Sequence, residues 1–432
     1  MRKLLAMLAF LGLLCVLWTI APLFASGPTL HDRIRIELMS QDGKKDDSVC
    51  SIAISADNKY LALAVKRPIV PSHGIYPYRI PPIRIRDLVR KEFVAEWMPD
   101  DARQFDSPET HIYHFEFSGD ANRALVCWRP YNGTDLTIEI LDCQTWKPIA
   151  KITHPLAEAD VKNYVDRAFS DRHLNYAGSV FTFVSYGEDN DSRRVDSWRV
   201  HVRRTDRPDE DKLVVGFDPQ SPPSLSPDGK KLLVRHANGV TMYDIETSEP
   251  ERQVDHYLSN SDVWSPDSIH FALLDKKTRR SALVFTSHNE DAPKTMPGFA
   301  WVYCDHGNVL ATTGGPAISL FSALSGAQIA NLKVTSRKSV WTGDSSSPAT
   351  MLTGGGALLC YLESESSDEF SYTALRFVDS RSGQILEQSL RLPESFASVK
   401  LSANNSYIVV DNDSEHTVDI WTNLPRASDS AR

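Results

Sequence analysis

The chain has 432 residues, of which 41% are hydrophobic and 24% charged, and this composition is typical of a globular protein rather than a disordered one. Its formal net charge of -9 at pH 7 works against a nucleic-acid partner, because binding to phosphate backbones depends on clustered Lys and Arg. We therefore expect no nucleic acid among its partners.

The amino end carries Arg2 and Lys3 before an uncharged run at positions 4–26. This run is long enough to cross a bilayer, whereas a cleaved signal peptide usually has an apolar region of only about 7 to 15 residues. Small residues at 25–27 keep a signal peptide open as the alternative. In either case the two basic residues are expected to leave the bulk of the chain outside the cytoplasm. We expect a single-pass membrane anchor at 1–27, or a secreted or periplasmic protein after cleavage.

The clearest repeat in the chain occupies positions 222–254. It makes a Ser-Pro-Asp-Gly turn at Ser226–Gly229, continues through the apolar residues 232–234, and turns again at Asn238–Gly239 before the alternating segment 240–245. A further turn precedes a last strand. This pattern predicts a four-stranded antiparallel meander. Such a sheet cannot bury both faces alone, so the meander must pack against neighbouring copies.

Seven further segments open with a related apolar-Ser-x-Asp or Asn signature, some of them degenerate. In chain order the eight openings are Ser51–Asp57, Phe115–Asp120, Ala168–Asp171, Leu225–Gly229, Val263–Asp267, Tyr303–Gly307, Val340–Trp341 and Val399–Asn404. About 400 residues shared among eight copies gives about 50 per copy, near the roughly 40 to 50 of a propeller blade. Seven blades remain the alternative, if one degenerate copy merges with its neighbour.

The last copy lacks a fourth strand, and a candidate for it stands at the other end of the chain. The segment Arg33–Leu38 alternates apolar and polar residues, precedes the first copy and has no partner there. Pairing the two ends would close the ring and remove exposed sheet edges. We therefore predict an all-β, eight-bladed β-propeller over 28–425, closed by an amino-terminal strand and followed by a polar tail at 426–432.

The run Leu225–Leu232 reads Leu-Ser-Pro-Asp-Gly-Lys-Lys-Leu and resembles the blade signature of the WD-repeat-like and TolB-like propellers. The Trp-Asp ending of WD repeats is replaced by pairs such as Arg86-Asp87 and Tyr243-Asp244, which favours a bacterial-type propeller. The resemblance implies the fold. It leaves the function open, because such propellers serve as scaffolds, receptors and enzyme accessory domains.

Linear motifs of catalysis are absent from the sequence: there is no nucleophile elbow, phosphate loop, dinucleotide fingerprint or zinc helix. We predict no catalytic residue, no metal and no cofactor, and favour a non-catalytic scaffold for a protein or peptide partner. The alternative is a hydrolase or lactonase-like propeller enzyme whose central channel gathers side chains from several blades. Trp264, Tyr303 and Trp341 occupy an apolar slot of the repeat and are expected in the core.

Apart from Cys15, the cysteines are Cys50, Cys127, Cys143, Cys304 and Cys360, an odd number without metal-site spacing. They are expected to be buried free thiols, with one Cys127–Cys143 bridge as the alternative.

The link between the second and third strands of the first copy is long, covering 66–82, and it is rich in Pro and Tyr. Long loops on a rigid scaffold concentrate binding function, and tyrosines supply contact area at low entropy cost. We hypothesise a partner site there and on the matching link of the second copy. Its residues are His73, Tyr76, Tyr78, Arg79 and Tyr131. The alternative is that these links are simple surface insertions.

Overall fold

A computed structural model describes residues 28–35, 48–68, 78–79, 83–99, 110–130, 135–155, 173–175, 177–186, 198–216, 223–258, 263–288, 291–314, 317–334, 351–353, 355–366, 371–412 and 415–425. The apolar run at 4–26 and the tail at 426–432 lie outside these ranges. Within them, no helix has the length and apolar character needed to cross a membrane.

Eight antiparallel sheets follow one another along the described chain, one for each predicted copy, so the seven-bladed alternative is wrong. First strands of successive blades contact each other, which places them around the centre of the ring. The strands are β2 (Ser48–Ile54), β3 (Tyr60–Pro68), β4 (Tyr78–Arg79), β5 (Ile83–Asp87) and β6 (Glu92–Trp97) in blade 1; β7 (Thr110–Phe117), β8 (Arg123–Pro130), β9 (Asp135–Asp142) and β10 (Lys147–Pro155) in blade 2; β11 (His173–Leu174), β12 (Val180–Tyr186), β13 (Trp198–Arg204) and β14 (Arg207–Gly216) in blade 3; β15 (Ser224–Leu225), β16 (Lys231–His236), β17 (Gly239–Asp244) and β18 (Pro250–Val254) in blade 4; β19 (His270–Leu274), β20 (Ser281–Thr286) and β21 (Lys294–Pro297) in blade 5; β22 (Ala300–Cys304), β23 (Val309–Thr313), β24 (Ala317–Ser322) and β25 (Gln328–Lys333) in blade 6; β26 (Met351–Thr353), β27 (Leu358–Ser366), β28 (Ser371–Asp379) and β29 (Gln384–Arg391) in blade 7; and β30 (Phe396–Leu401), β31 (Ile408–Asn412), β32 (Thr417–Thr422) and β1 (Thr29–Arg35) in blade 8.

The ring closes through β1, which pairs antiparallel with β32 and supplies the fourth strand that the last copy lacks. Arg33 donates from Nε and Nη2 to the two carboxylate oxygens of Asp419, at 2.8 and 2.9 Å. The Asp32 carboxylate also accepts from Arg86 of blade 1 at 2.7 Å. The predicted closure by pairing of the chain ends is confirmed, with Thr29–Arg35 as the described strand; positions 36–38 of the predicted segment Arg33–Leu38 lie outside the described residues. Ion pairs tie β1 to β32 within blade 8 and to blade 1.

Apolar side chains from facing sheets fill the space between blades. Leu233 and Met242 of blade 4 pack with Trp264 and Phe271 of blade 5 in one such cluster. Trp264 and Tyr303 are both buried, which confirms their predicted place in the core. Trp341 lies outside the described residues. In blade 5 the first strand is reduced to a single bridge between Trp264 and Phe271.

Two predicted blade openings are wrong. In blade 3 the first strand is not Ala168–Asp171 but β11, which is followed by Asn175; the Oδ1 of Asn175 accepts the N–H groups of Ser179 and Val180, at 2.8 and 2.9 Å. Asn175 thus accepts the turn hydrogen bonds in place of the signature Ser, and for this reason the segment does not match the Ser-x-Asp pattern. In blade 7 the first strand is β26 rather than Val340–Trp341, and a glycine-rich turn follows it.

Four cysteines in the described ranges are buried thiols that form no disulfide bond: Cys127, Cys143, Cys304 and Cys360. The expectation of buried thiols is confirmed for these four, and the alternative bridge between Cys127 and Cys143 is wrong. Burial raises the pKa of the Cys143 thiol to about 12, with a smaller contribution from the carboxylate of Asp142.

Candidate partner-binding site

The antiparallel meander gives the ring two faces that carry different strand connections. We call the face with the first-to-second and third-to-fourth strand turns the turn face; it includes Ser226–Gly229 and 245–249. The opposite face holds the second-to-third strand links and the links between blades, among them 237–238, 255–258 and 275–280, and we call it the link face.

Side-chain hydrogen bonds engage a recurrent aspartate of the turn face in several blades. In blade 4 the Ser226 hydroxyl donates to Asp228 Oδ1 at 2.7 Å and accepts the Lys231 N–H at 2.9 Å, while Asp228 Oδ1 accepts the Lys230 N–H at 3.1 Å. The same arrangement recurs in other blades at Ser55–Asp57, Ser118–Asp120 and Ser265–Asp267. These aspartates therefore stabilise turns, which explains the recurrence of the Ser-x-Asp signature.

The third-to-fourth strand turns use aspartate in the same way. Asp244 accepts from Lys231 Nζ at 2.7 Å and from the Thr247 N–H at 2.8 Å. The hydrogen bond from Lys231 is the main cause that lowers the pKa of Asp244 to about 2, and the Thr247 N–H adds to it. Asp142 makes equivalent bonds in blade 2, with Thr145.

Of the five residues of the predicted partner site, the structure describes the backbone of Tyr78 and Arg79, in the second-to-third strand link of blade 1 on the link face. Tyr78 and Arg79 form β4, whose residues pair with Pro68 and Arg67 at the end of β3. The long link therefore folds back onto the end of β3, and backbone pairing fixes Tyr78 and Arg79 beside Pro68 and Arg67. His73, Tyr76 and Tyr131 lie outside the described residues.

A cluster of basic residues on the same face, at blades 4 and 5, was not predicted from the sequence. The ring of Tyr257 contacts two guanidinium groups, with its centroid 4.6 Å from Arg235 Cζ and 5.3 Å from Arg279 Cζ. The run Lys-Lys-Thr-Arg-Arg at 276–280 is the signal that could have revealed it, because such a run stands out in an acidic chain. Cation–π contacts of this kind contribute about 0.5–1 kcal/mol at exposed sites, which is enough to favour the conformations in which the two arginine side chains contact the Tyr257 ring.

A cavity of about 800 Å³ opens beside this cluster, between blades 5 and 6. Its lining residues come from the ends of strands and from the links between them: Arg279, Arg280, Pro297, Gly298, Phe299, Thr312, Gly314, Ala317 and Ser319. The Thr312 hydroxyl donates to the carbonyl of Pro297 at 2.6 Å, and this bond joins two segments of the cavity wall. The cavity thus combines two cationic side chains with an aromatic ring.

Ion pairs occupy the guanidinium groups of many other arginines in the described ranges. Examples are Arg33–Asp419, Arg86–Asp32, Arg203–Asp211, Arg204–Asp206, Arg376–Glu363 and Arg381–Asp305. Arg279 and Arg280, by contrast, are exposed and have no carboxylate within ion-pair distance among the described residues. Two adjacent unpaired arginines in a chain of net charge -9 are available to an anionic ligand.

Two other cavities carry one arginine each. A groove of about 660 Å³ between blades 3 and 4 is lined by Arg199, His236 and Tyr243, where burial lowers the pKa of His236 and raises that of Tyr243. A cleft of about 500 Å³ between blades 7 and 8 contains Arg381, which already pairs with Asp305 at 2.7 Å. Among the described residues, no group of three or more His, Cys, Asp or Glu is placed to hold a metal ion.

Solved structures of other proteins share the architecture at very low sequence identity. One is described as the crystal structure of the eukaryotic initiation factor; it matches with a TM-score of 0.50 and 11% identity, covering 80% of this chain and 78% of that one. Another is the β-propeller domain of Myceliophteria thermophila Cps50 (Swd1), with a TM-score of 0.45 and 10% identity, covering 91% and 99%. No protein-family profile and no curated protein matches the chain. At this identity the likeness concerns the fold alone.

Proposed function

We propose that this protein is a non-catalytic β-propeller scaffold that binds a protein or peptide partner through its link face. The unequal use of charge on the two faces carries the proposal. Turn-face aspartates such as Asp228 and Asp244 are engaged in hydrogen bonds that build the blades, whereas Arg279 and Arg280 on the link face have no carboxylate partner among the described residues and border a cavity. Unpaired charge beside an aromatic ring and a concave surface is typical of a binding site.

A labelling experiment tests the choice of face. Lys277 on the link face and Lys230 on the turn face are both exposed, and the four cysteines at positions 127, 143, 304 and 360 are buried. In a Cys15→Ser/Cys50→Ser background, cysteines introduced at 277 and 230 can therefore be modified selectively. A polyethylene glycol maleimide attached at Lys277→Cys should block capture of a partner identified by crosslinking. The same label at Lys230→Cys should leave capture unchanged. Equal capture by both labelled proteins contradicts the proposal.

We propose that the long link of blade 1 contributes to the same interaction through His73, Tyr76, Tyr78, Arg79 and Tyr131. The pairing of β4 with β3 supports this, because it anchors Tyr78 and Arg79 to the rigid blade. Replacing positions 69–80 by a short Gly-Ser loop should leave the melting temperature nearly unchanged and abolish capture. Undiminished capture removes these residues from the site.

We further propose that the amino-terminal segment holds the propeller at a membrane, outside the cytoplasm, or is cleaved after export. The uncharged run at 4–26 behind Arg2 and Lys3 supports this. Mass spectrometry of the native amino terminus tests it: an intact Met1 or Arg2 is expected, and a chain beginning near 26–28 would replace the anchor by a cleaved signal. We also propose that the propeller is of the TolB-like, bacterial type, which the Ser-Pro-Asp-Gly turn at Ser226 supports.

A further inference from the structure

Two carboxylates of the links that hold Tyr257 and Arg279, those of Asp255 and Asp275, are already engaged by other groups. Asp275 Oδ2 accepts from the Thr278 hydroxyl at 2.7 Å and from the Thr278 N–H at 3.2 Å, and Asp255 forms an ion pair with Lys276. These bonds leave Arg279 and Arg280 without an internal counter-charge in the described part of the chain. A ligand that brings negative charge would therefore not have to displace an existing ion pair.

The backbone on both sides of the cavity is held in place. The N–H of Arg279 donates to the Asp275 carbonyl at 2.8 Å, and the carbonyl of Arg280 accepts from the Gly298 N–H at 2.8 Å. The guanidinium group of Arg279 also rests on the ring of Tyr257. Because the main chain is fixed before a ligand arrives, less ordering entropy is lost on binding.

Glycines keep one side of the cavity free of side chains. A Cβ added to Gly298 would lie 2.8 Å from Thr312 Cβ, and one added to Gly314 would lie 3.3 Å from the Cα of Gly298. Gly298 also has a φ of +124°, which disfavours any other residue. Half-buried Phe299 forms an apolar wall next to this bare backbone.

We infer that the cavity between blades 5 and 6 binds an acidic segment of the partner. Two carboxylates of the segment pair with Arg279 and Arg280, and an apolar side chain packs against Phe299. The inference rests on the proposed function and names the chemistry of the partner. A peptide is favoured over nucleic acid because the cationic cluster is local and concave, whereas a phosphate backbone requires an extended basic track.

Selection from a displayed library of random 12-residue peptides tests this inference with the full chain in detergent micelles. Wild type is compared with Arg279→Glu/Arg280→Glu, and a control variant Arg204→Ala/Arg207→Ala removes two exposed arginines near the third-to-fourth turn of blade 3, on the other face. Peptides enriched by wild type should carry two or more Asp or Glu and an apolar residue, and the control should enrich the same set. The strongest peptide is then synthesised, and its Kd is measured by fluorescence polarisation.

Replacing Arg279 or Arg280 by alanine should raise the Kd of that peptide roughly 3- to 10-fold for each arginine, since both side chains are exposed. The affinity should also fall with added salt. Enriched peptides without acidic residues, or binding that survives Arg279→Glu/Arg280→Glu, would overturn this inference while leaving a peptide-binding scaffold in place. Enrichment of no peptide at all would count against both. Preferential, arginine-dependent binding of an oligothymidylate would overturn the assignment to a peptide.

Discussion

The closure of the ring offers the sharpest test of how this fold is held together, through the substitution Arg33→Met. Asp419 is almost wholly buried, with its side chain 2% exposed, whereas the side chain of Arg33 is 41% exposed. Methionine keeps the apolar stem of Arg33 and removes both hydrogen bonds to the carboxylate. Asp419 then retains the Thr417 hydroxyl at 3.0 Å and the Asn412 amide at 3.4 Å.

The expected loss lies between two measured extremes. Removing one partner of a fully buried ion pair costs about 3–5 kcal/mol, and removing one from an exposed pair costs about 0–1 kcal/mol. With one buried and one half-exposed partner, we expect a loss of about 2–3 kcal/mol in the free energy of unfolding. For an m-value of about 3 kcal/mol/M, the urea midpoint should fall by roughly 0.7–1 M.

Urea unfolding followed by circular dichroism measures this change, with Arg35→Met as the matched control. Arg35 lies on the same strand, is exposed and has no ion pair within the described residues. The double variant Arg33→Met/Asp419→Asn should lose less than the sum of the single variants, because the second change removes the carboxylate left unpaired by the first. Equal midpoints for Arg33→Met and Arg35→Met would refute the idea that this ion pair fastens the closing strand.

Three further predictions concern titration, thiols and blade contacts. Because the hydrogen bond from Lys231 depresses the pKa of Asp244 to about 2 from an ordinary 3.8, its contribution to stability is complete above pH 4 and is lost as the pH falls towards 2; urea midpoints of wild type and Asp244→Asn should therefore converge over that window. In native protein at pH 8, iodoacetamide should leave Cys143 unmodified because burial raises its thiol pKa to about 12, and peptide mapping should find it labelled only after denaturation. Gly383→Ala should lower the free energy of unfolding by about 1–3 kcal/mol in urea titrations, since Gly383 has a φ of +74° and its new Cβ would lie 2.1 Å from Ala330 Cβ of the neighbouring blade; an unchanged midpoint would contradict this packing.

The sequence alone determined the repeat and the closure by the amino-terminal strand, and it favoured eight blades with seven as the alternative. These features depend on local patterns, because a Ser-x-Asp turn forms from hydrogen bonds among residues adjacent in the chain, as at Ser226 and Asp228. The prediction failed where a different side chain makes the same bonds. Asn175 replaces the signature Ser in blade 3, whereas the Ser-Asp pair at 170–171 matches the signature without opening the blade.

Only the tertiary structure decided which charges are neutralised and which remain free. The sequence shows Arg33, Arg279 and Arg280 as equivalent basic residues, yet the first is bound to Asp419 at the far end of the chain and the other two border a cavity. Arg235 belongs to β16 of blade 4, Tyr257 to the link between blades 4 and 5, and Arg279 to the second-to-third strand link of blade 5, and they meet only because the two blades pack side by side. Such contacts depend on the positions of whole sheets, which local hydrogen bonds and hydrophobic periodicity do not specify.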